Sequence, residues 1–235
     1  MHATWEFATV DDGRARWDWR DGPPEIKSLV PVRYPSSRAR SRHVPARAFC
    51  MATGGYVLAE SGLEHDLVRL LDRSRATAWL VAQPARLRFE IESRCPLTHI
   101  PDLVSMTVDG TATIWDCRAE ERQDDDFRAK SALTRVACAV VGWRYEVFVG
   151  QPMVERLNER WLGGFRRPRL WHERQRVILL ATARDGTTLG DLLDLDDGSG
   201  ELISTAWHLL WTGELKCNLA GALRRETAVA ARSDG

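Results

Sequence analysis

The stretch TATIWDCRAEER, residues 111–122, carries the strand formers Thr111, Thr113, Ile114 and Trp115 straight into Asp116 and Arg118, with Cys117 between them. Two further acids stand upstream: Glu64 in ESGLEHDLVRLL, and Asp102 directly after Pro101 in HIPDLVSMTV. Three carboxylates in reach of one another are what a hard divalent cation asks for. Mg²⁺ takes oxygen ligands, with water and substrate phosphate filling the remaining positions. A cation so held activates water and offsets charge on a cleaved phosphodiester. Each acid also has a plainer role. Glu64, three residues after Ser61, fits a capping box. Asp102 fits a strand edge, and Asp116 fits a solvated strand end or a partner for Arg118. The residues alone leave both sets of roles open.

The elements that must position these acids follow from periodicity and turn chemistry. AFCMATGGYVLAES reads as a strand or hairpin around Gly54-Gly55. Leu63, Leu67, Leu70 and Leu71 then recur at helical spacing. Strands are expected at 76–83 and 86–92, where Leu87, Phe89 and Ile91 alternate with charges. Asp109-Gly110 between two apolar runs is a strong hairpin signal. It sets Asp102 and Asp116 on facing arms. DDDFRAKSALTRVACAVVG has an acidic first turn and Gly142 past its end, the marks of a helix, and WRYEVFV follows as a strand. Helix, strands, hairpin, helix and strand describe a mixed sheet flanked by helices, one α/β domain. Past Gly150 four helical runs end in two short strand-like pieces around Ala220-Gly221, the outline of a winged helix. The last helix, ELISTAWHLLW, holds no Arg or Lys, which favours protein docking over DNA reading. The expected division is a basic arm over 1–47, an α/β domain over 48–150 and a helical, winged-helix-like domain over 151–235.

The formal net charge is zero, but charge is unevenly placed. Residues 26–47 carry Lys27, Arg33, Arg38, Arg40, Arg42 and Arg47 with no acid. Residues 156–176 carry seven arginines, among them Arg166, Arg167 and Arg169, against Glu159 and Glu173. Acids gather in EERQDDD at 120–126. Two basic patches suit phosphate contacts, and equally suit solvated surfaces in an Arg-rich chain. Five scattered cysteines without a C-x-x-C pair point to reduced thiols in a cytoplasm, not to a zinc module. No apolar run is long enough for a membrane span, and the N-terminal charges do not suit a signal peptide. The six histidines never pair at metal-ligand spacing; His99, two residues before Pro101, is a buried or surface histidine or one that brushes substrate. Phosphate-loop and Ser/His/Asp signatures are absent.

The ordered set ESGLEHDLVRLL, VAQPARLRF, HIPDLVSMTVDG, IWDCRAEER and DFRAKSALTRVACAVVGWRYEVF resembles the TnsA-type endonuclease subunit of heteromeric transposases, over about residues 45–150. That family is a branch of the PD-(D/E)XK nucleases. The resemblance implies a restriction-endonuclease-like fold and Mg²⁺-dependent cutting of the non-transferred strand at transposon ends, with Mn²⁺ able to substitute. It implies double-stranded DNA, a DDE-type transposase and an AAA+ ATPase regulator as partners, and a bacterial cytoplasm. By resemblance Glu64, Asp102 and Asp116 match the metal positions and Arg118 matches the family's lysine. Arginine there is a departure, since it stays protonated and planar where lysine is a compact, tunable charge. Lys130, on the following helix, is the candidate for a displaced lysine. Arg38, Arg40, Arg42, Arg166, Arg167 and Arg169 are the expected DNA-backbone contacts. A catalytically degenerate adaptor of the same fold and a stand-alone defence nuclease are the alternatives.

Overall fold

At the tip of the central hairpin Gly110 adopts φ +84°, a conformation that glycine alone enters without steric cost. Its N–H donates to Thr107 O at 2.9 Å, and Asp109 Oδ1 accepts from Thr111 N–H at 3.0 Å. The structure is a computed structural model and describes residues 2–11, 13–34, 45–90 and 95–232. It is a mixed α/β chain that divides into two units, 1–72 with 76–150, and 73–75 with 151–235.

The first unit opens with β1 (His2–Thr9), β2 (Gly13–Arg16) and β3 (Leu29–Val30), then a hairpin of β4 (Ala46–Cys50) and β5 (Gly55–Ala59). Next come α1 (Gly62–Arg73), β6 (Thr77–Ala82), β7 (Ala85–Glu90), β8 (Leu97–His99), β9 (Leu103–Thr107) and β10 (Ala112–Cys117). The unit ends with α2 (Asp125–Val140) and β11 (Arg144–Phe148). The sheet that matters runs β11-β10-β9-β6. β6, β9 and β10 are antiparallel neighbours, whereas β10 and β11 are parallel. Parallel neighbours need a crossover, and α2 supplies it. Asp124 caps α2 by accepting from Phe127 N–H at 2.8 Å, while Asp125 and Asp126 sit in its first turn, where acids favour the helix dipole. Part of the acidic knot is thus explained by the helix it starts.

Strand alternation sorts side chains onto two faces of this sheet. Leu80, Ala82, Leu103 and Phe148 pack with Leu67 and Val68 of α1, joined at the edge of that cluster by Trp115 and Cys117. Val81, Val104, Ile114 and Tyr145 pack on the other face with Ala137 and Cys138 of α2.

Residues 2–30, read from the sequence as part of an arm, carry β1–β3 in a second sheet. β1 pairs with β2, β3 and β7, and β7 with β8, all antiparallel. The reason is burial. Trp5 and Phe7 alternate with polar Thr4 and Glu6, and their rings join Trp19 and Trp143 with centroids 5.4 to 6.1 Å apart, a range in which aromatic pairs attract.

The second unit holds α3 (Met153–Leu162), α4 (His172–Thr182), α5 (Leu189–Leu193) and α6 (Glu201–Thr212), followed by β12 (Leu215–Lys216) and β13 (Ala230–Ala231), which pair antiparallel. Its core is built on Leu162, Leu179, Leu192, Ala206 and Leu209, all fully buried. Asn158 Nδ2 donates to Leu219 O and Gly221 O at 2.9 and 2.8 Å, pinning the long connection between β12 and β13.

Phe89, next to the end of β7, is fully enclosed. Phe89→Ala is expected to lower stability by about 3–5 kcal/mol, read as an earlier urea transition followed by tryptophan fluorescence.

Candidate active site at the rim of the mixed sheet

Asp102 extends the ladder one residue beyond β9. Its N–H donates to Trp115 O at 3.0 Å and its carbonyl accepts from Gln83 N–H at 2.9 Å. Its side chain crosses the hairpin, with Oδ2 accepting from Cys117 N–H at 2.7 Å. Backbone and one carboxylate oxygen are therefore fixed, and Oδ1 receives no hydrogen bond from the described residues. Burial raises the Asp102 carboxyl well above its ordinary range, and the charges of Asp116 and Glu64 raise it further. The neighbouring carboxylates disfavour its ionised form, and the Cys117 N–H favours it.

Glu64 stands in the first turn of α1. Ser61 Oγ caps that helix by accepting from Glu64 N–H at 3.1 Å. Glu64 Oε2 accepts from Glu60 N–H at 2.7 Å, one residue before the position a capping box would use. Burial raises its carboxyl, partly offset by the hydrogen bonds from Glu60 and Ser61. The plain capping role and the proximity to Asp102 thus coexist.

Asp116 is 2% exposed. Its Oδ2 accepts from the Tyr145 hydroxyl at 2.5 Å and lies 2.8 Å from His99 Nε2, which is also 3.1 Å from Oδ1. Cys117 stands among the acids: burial first, then Asp102, Glu64 and Asp116, push its thiol far up. A thiol so held is no nucleophile.

Arg118 is not brought to the acids. Its Nε donates to Arg122 O at 2.8 Å, its Nη2 lies 3.6 Å from Asp124, and its guanidinium sits 5.6 Å from the centroid of the Phe127 ring. The cause is local: β10 ends at Cys117, and a 3₁₀ turn at Glu120–Arg122 offers carbonyl and carboxylate close by. Lys130 pairs with Asp126 at 2.7 Å along α2. Of the expected DNA contacts, Arg38, Arg40 and Arg42 lie outside the described residues. Arg167 and Arg169 are exposed in the segment between α3 and α4, and Arg166 donates to Gly163 O at 2.6 Å. Arg174 and Arg176 are tied to Glu201 and Glu214 at 2.5 Å each, which narrows the second basic patch.

Gln83 escaped sequence reasoning. It takes φ 41°, uncommon for a residue other than glycine. The residue is 1% exposed, and neither side-chain amide atom has a hydrogen-bond partner among the described residues. The one signal was a polar residue closing the apolar run AWLVAQ. Tyr145 was likewise hidden, as an ordinary aromatic in a strand.

Among the described residues, no set of three or more His, Cys, Asp or Glu side chains is arranged to hold a metal ion. Two donors still fit in kind. Asp102 is held through Oδ2 by Cys117 N–H and Glu64 through Oε2 by Glu60 N–H, and Mg²⁺ is usually held by one or two carboxylates with water and phosphate. Asp116 does not fit, because its oxygens already serve His99 and Tyr145. No family model and no curated protein matches the chain.

The raised Asp102 pKa fixes the sign of a pH effect. Below the ordinary value of 3.8 both folded and unfolded states hold the proton and no penalty exists. As pH rises above it, the unfolded chain ionises first, so stability falls until pH passes the raised folded value. Asp102→Asn keeps an acceptor for Cys117 N–H and cannot ionise. In chelator, it is expected to melt above wild type at neutral pH, with the gap closing below about pH 3.8 when melting is scanned against pH.

Proposed function

We propose that this chain is a TnsA-like, Mg²⁺-dependent DNA endonuclease subunit that cuts the non-transferred strand at transposon ends. It would work beside a DDE-type transposase and an AAA+ ATPase regulator, in a bacterial cytoplasm. The observation that carries the reading is Asp102, a carboxylate pinned on one side by Cys117 N–H and raised well above its ordinary range by burial and by the neighbouring acids Asp116 and Glu64. Its place at the start of β9, with Glu64 at the start of α1, follows the order of the resembling motifs. The mixed β11-β10-β9-β6 sheet with α2 as its crossover supports a restriction-endonuclease-like first unit. Helices ending in the β12–β13 pair support a winged-helix-like second unit. Among the described residues, no helix is long and apolar enough to cross a membrane.

In this reading Asp102 and Glu64 hold the divalent cation, Mg²⁺ or Mn²⁺. A cation bound there supplies charge neutralisation for the scissile phosphate and an acidified water. Cys117 N–H keeps Asp102 Oδ2 occupied, so Oδ1 is the oxygen left for the cation. Arg38, Arg40, Arg42, Arg166, Arg167 and Arg169 contact backbone phosphates, holding DNA without reading sequence.

One observation favours a second reading. The group expected to match the family's lysine, Arg118, is engaged with Arg122 and Phe127, as it would be in an adaptor of nuclease fold that has lost its chemistry. Mixing the full chain with the transposase, regulator, end DNA and Mg²⁺ separates the two. Wild type is expected to yield non-transferred-strand cuts and Asp102→Ala none; identical products from both would sink the catalytic reading. Cutting by the isolated chain would instead mark a stand-alone nuclease.

Replacing Arg166, Arg167 and Arg169 together by alanine is expected to weaken binding to any DNA sequence. The slope of log affinity against log salt should flatten by about 0.9 for each phosphate left without its arginine, as read by fluorescence anisotropy.

A further inference from the structure

We propose that Asp116 is a positioning residue and not a metal ligand, and that the side chain it positions, His99, orients the attacking water. The proposal rests on the nuclease reading above. Along β10, Ile114 and Asp116 share one face and Trp115 and Cys117 the other. The first pair looks toward α2 and the second toward α1, as the two core clusters record. The register that pairs Trp115 with Leu103 carries Asp116 to the level of Asp102, so it is the partners of Asp116, not its position, that set it apart. On its own face Asp116 is enclosed, with Tyr145 and His99 filling its oxygens. Tyr145 is itself held, with the Arg135 guanidinium 5.2 Å from its ring centroid. A cation could take Asp116 only by breaking hydrogen bonds in a nearly dry place.

What those bonds do to His99 follows from hydrogen-bond chemistry. An ionised carboxylate only accepts, so the ring nitrogen facing it is the donor. Asp116 therefore selects the Nε2–H tautomer of the neutral ring and leaves Nδ1 as the acceptor. Nδ1 receives nothing from the described residues, and the side chain keeps 14% of its surface exposed. His99 lies three residues before Asp102, and its anchor Asp116 directly follows Trp115, whose carbonyl accepts from Asp102 N–H at 3.0 Å across the hairpin. The oriented acceptor is thus anchored on the same hairpin backbone that fixes Asp102. Accepting a hydrogen bond from the attacking water aims the water's lone pair at phosphorus, a task for which Arg118 is out of place.

The test begins with ¹⁵N NMR of the histidines in the full chain, at neutral pH and in chelator. Wild-type His99 is expected as the Nε2–H tautomer with an unprotonated Nδ1, and Asp116→Ala as a mixture of tautomers. Mn²⁺ titration provides the second arm. Asp102→Asn should abolish binding, whereas Asp116→Asn should weaken it by about tenfold or less. In the reconstituted reaction His99→Ala should lower kcat by about 10²-fold with KM little changed, and His99→Gln should recover part of it. An Nδ1–H tautomer in wild type overturns the anchoring. Loss of Mn²⁺ binding in Asp116→Asn as complete as in Asp102→Asn makes Asp116 a ligand and overturns the proposal, leaving the nuclease reading standing. Absence of strand cutting by wild type overturns the nuclease reading and the role of His99 with it, whatever the tautomer.

Discussion

Everything at the candidate site answers to one constraint: carboxylates of like charge are held together where water is scarce. Asp102, Glu64 and Asp116 all act on one another or on Cys117 between them. Such an arrangement is unfavourable for each acid taken singly, so the fold must hold it by other means. The means is the hairpin. Asp102 is fixed at three points: its N–H on Trp115, its carbonyl on Gln83, its Oδ2 on Cys117. The ladder that makes those bonds is itself fixed by the apolar clusters on both faces of the sheet. Core packing therefore stabilises a site that electrostatics opposes.

The three acids meet the constraint in different ways. Glu64 binds a backbone N–H at the start of its helix, where the dipole favours negative charge. Asp116 takes a hydroxyl and an imidazole and is closed off. Asp102 has one N–H, and burial with the neighbouring acids disfavours its ionised form. This difference sorts them into roles more sharply than their shared residue type does. The acid with the least compensation is the one with most to gain from a cation or a substrate proton. The acid with full compensation is suited to holding a neighbour still. Gln83, strained and with an unpartnered amide beside the Asp102 backbone, is a second unrelieved group at the same rim. Strain and missing partners tend to gather at functional sites.

Much of this was legible in the sequence because it depends on near neighbours. Asp109-Gly110 specifies the hairpin, the leucine spacing of 63–71 specifies α1, and Asp124 marks the start of α2. Those signals define the helix that carries Glu64 and the hairpin that carries Asp102; the packing of Leu67 and Val68 on Leu80 and Leu103 brings the two elements together. The hidden parts depend on contacts between distant residues. β1 pairs with β7 in a register from His2 opposite Glu90 to Phe7 opposite Ala85, and no local pattern in WEF names that partner. The bonds from His99 and Tyr145 to Asp116 span 17 and 29 residues. Arg118 was misleading for the opposite reason. Its spacing from Asp116 puts the two on one face only if the strand continues, and the strand stops one residue short.

That stop at Cys117 also bears on how lysine and arginine differ at this position. An arginine carries five donors in a planar fork, which suits bidentate contacts to carbonyls and carboxylates. The 3₁₀ turn at Glu120–Arg122 and the Asp124 cap present such acceptors within reach of residue 118, and Phe127 adds a ring face. A lysine has no fork to satisfy and less to gain from this set. The acidic knot that opens α2 therefore does two things at once. It caps the helix that carries the chain across to β11, and it draws the Arg118 guanidinium away from the carboxylates. The residue type at 118 and the acids at 120–126 form one local arrangement, and the basic group that Asp116 does hold is the imidazole on β8.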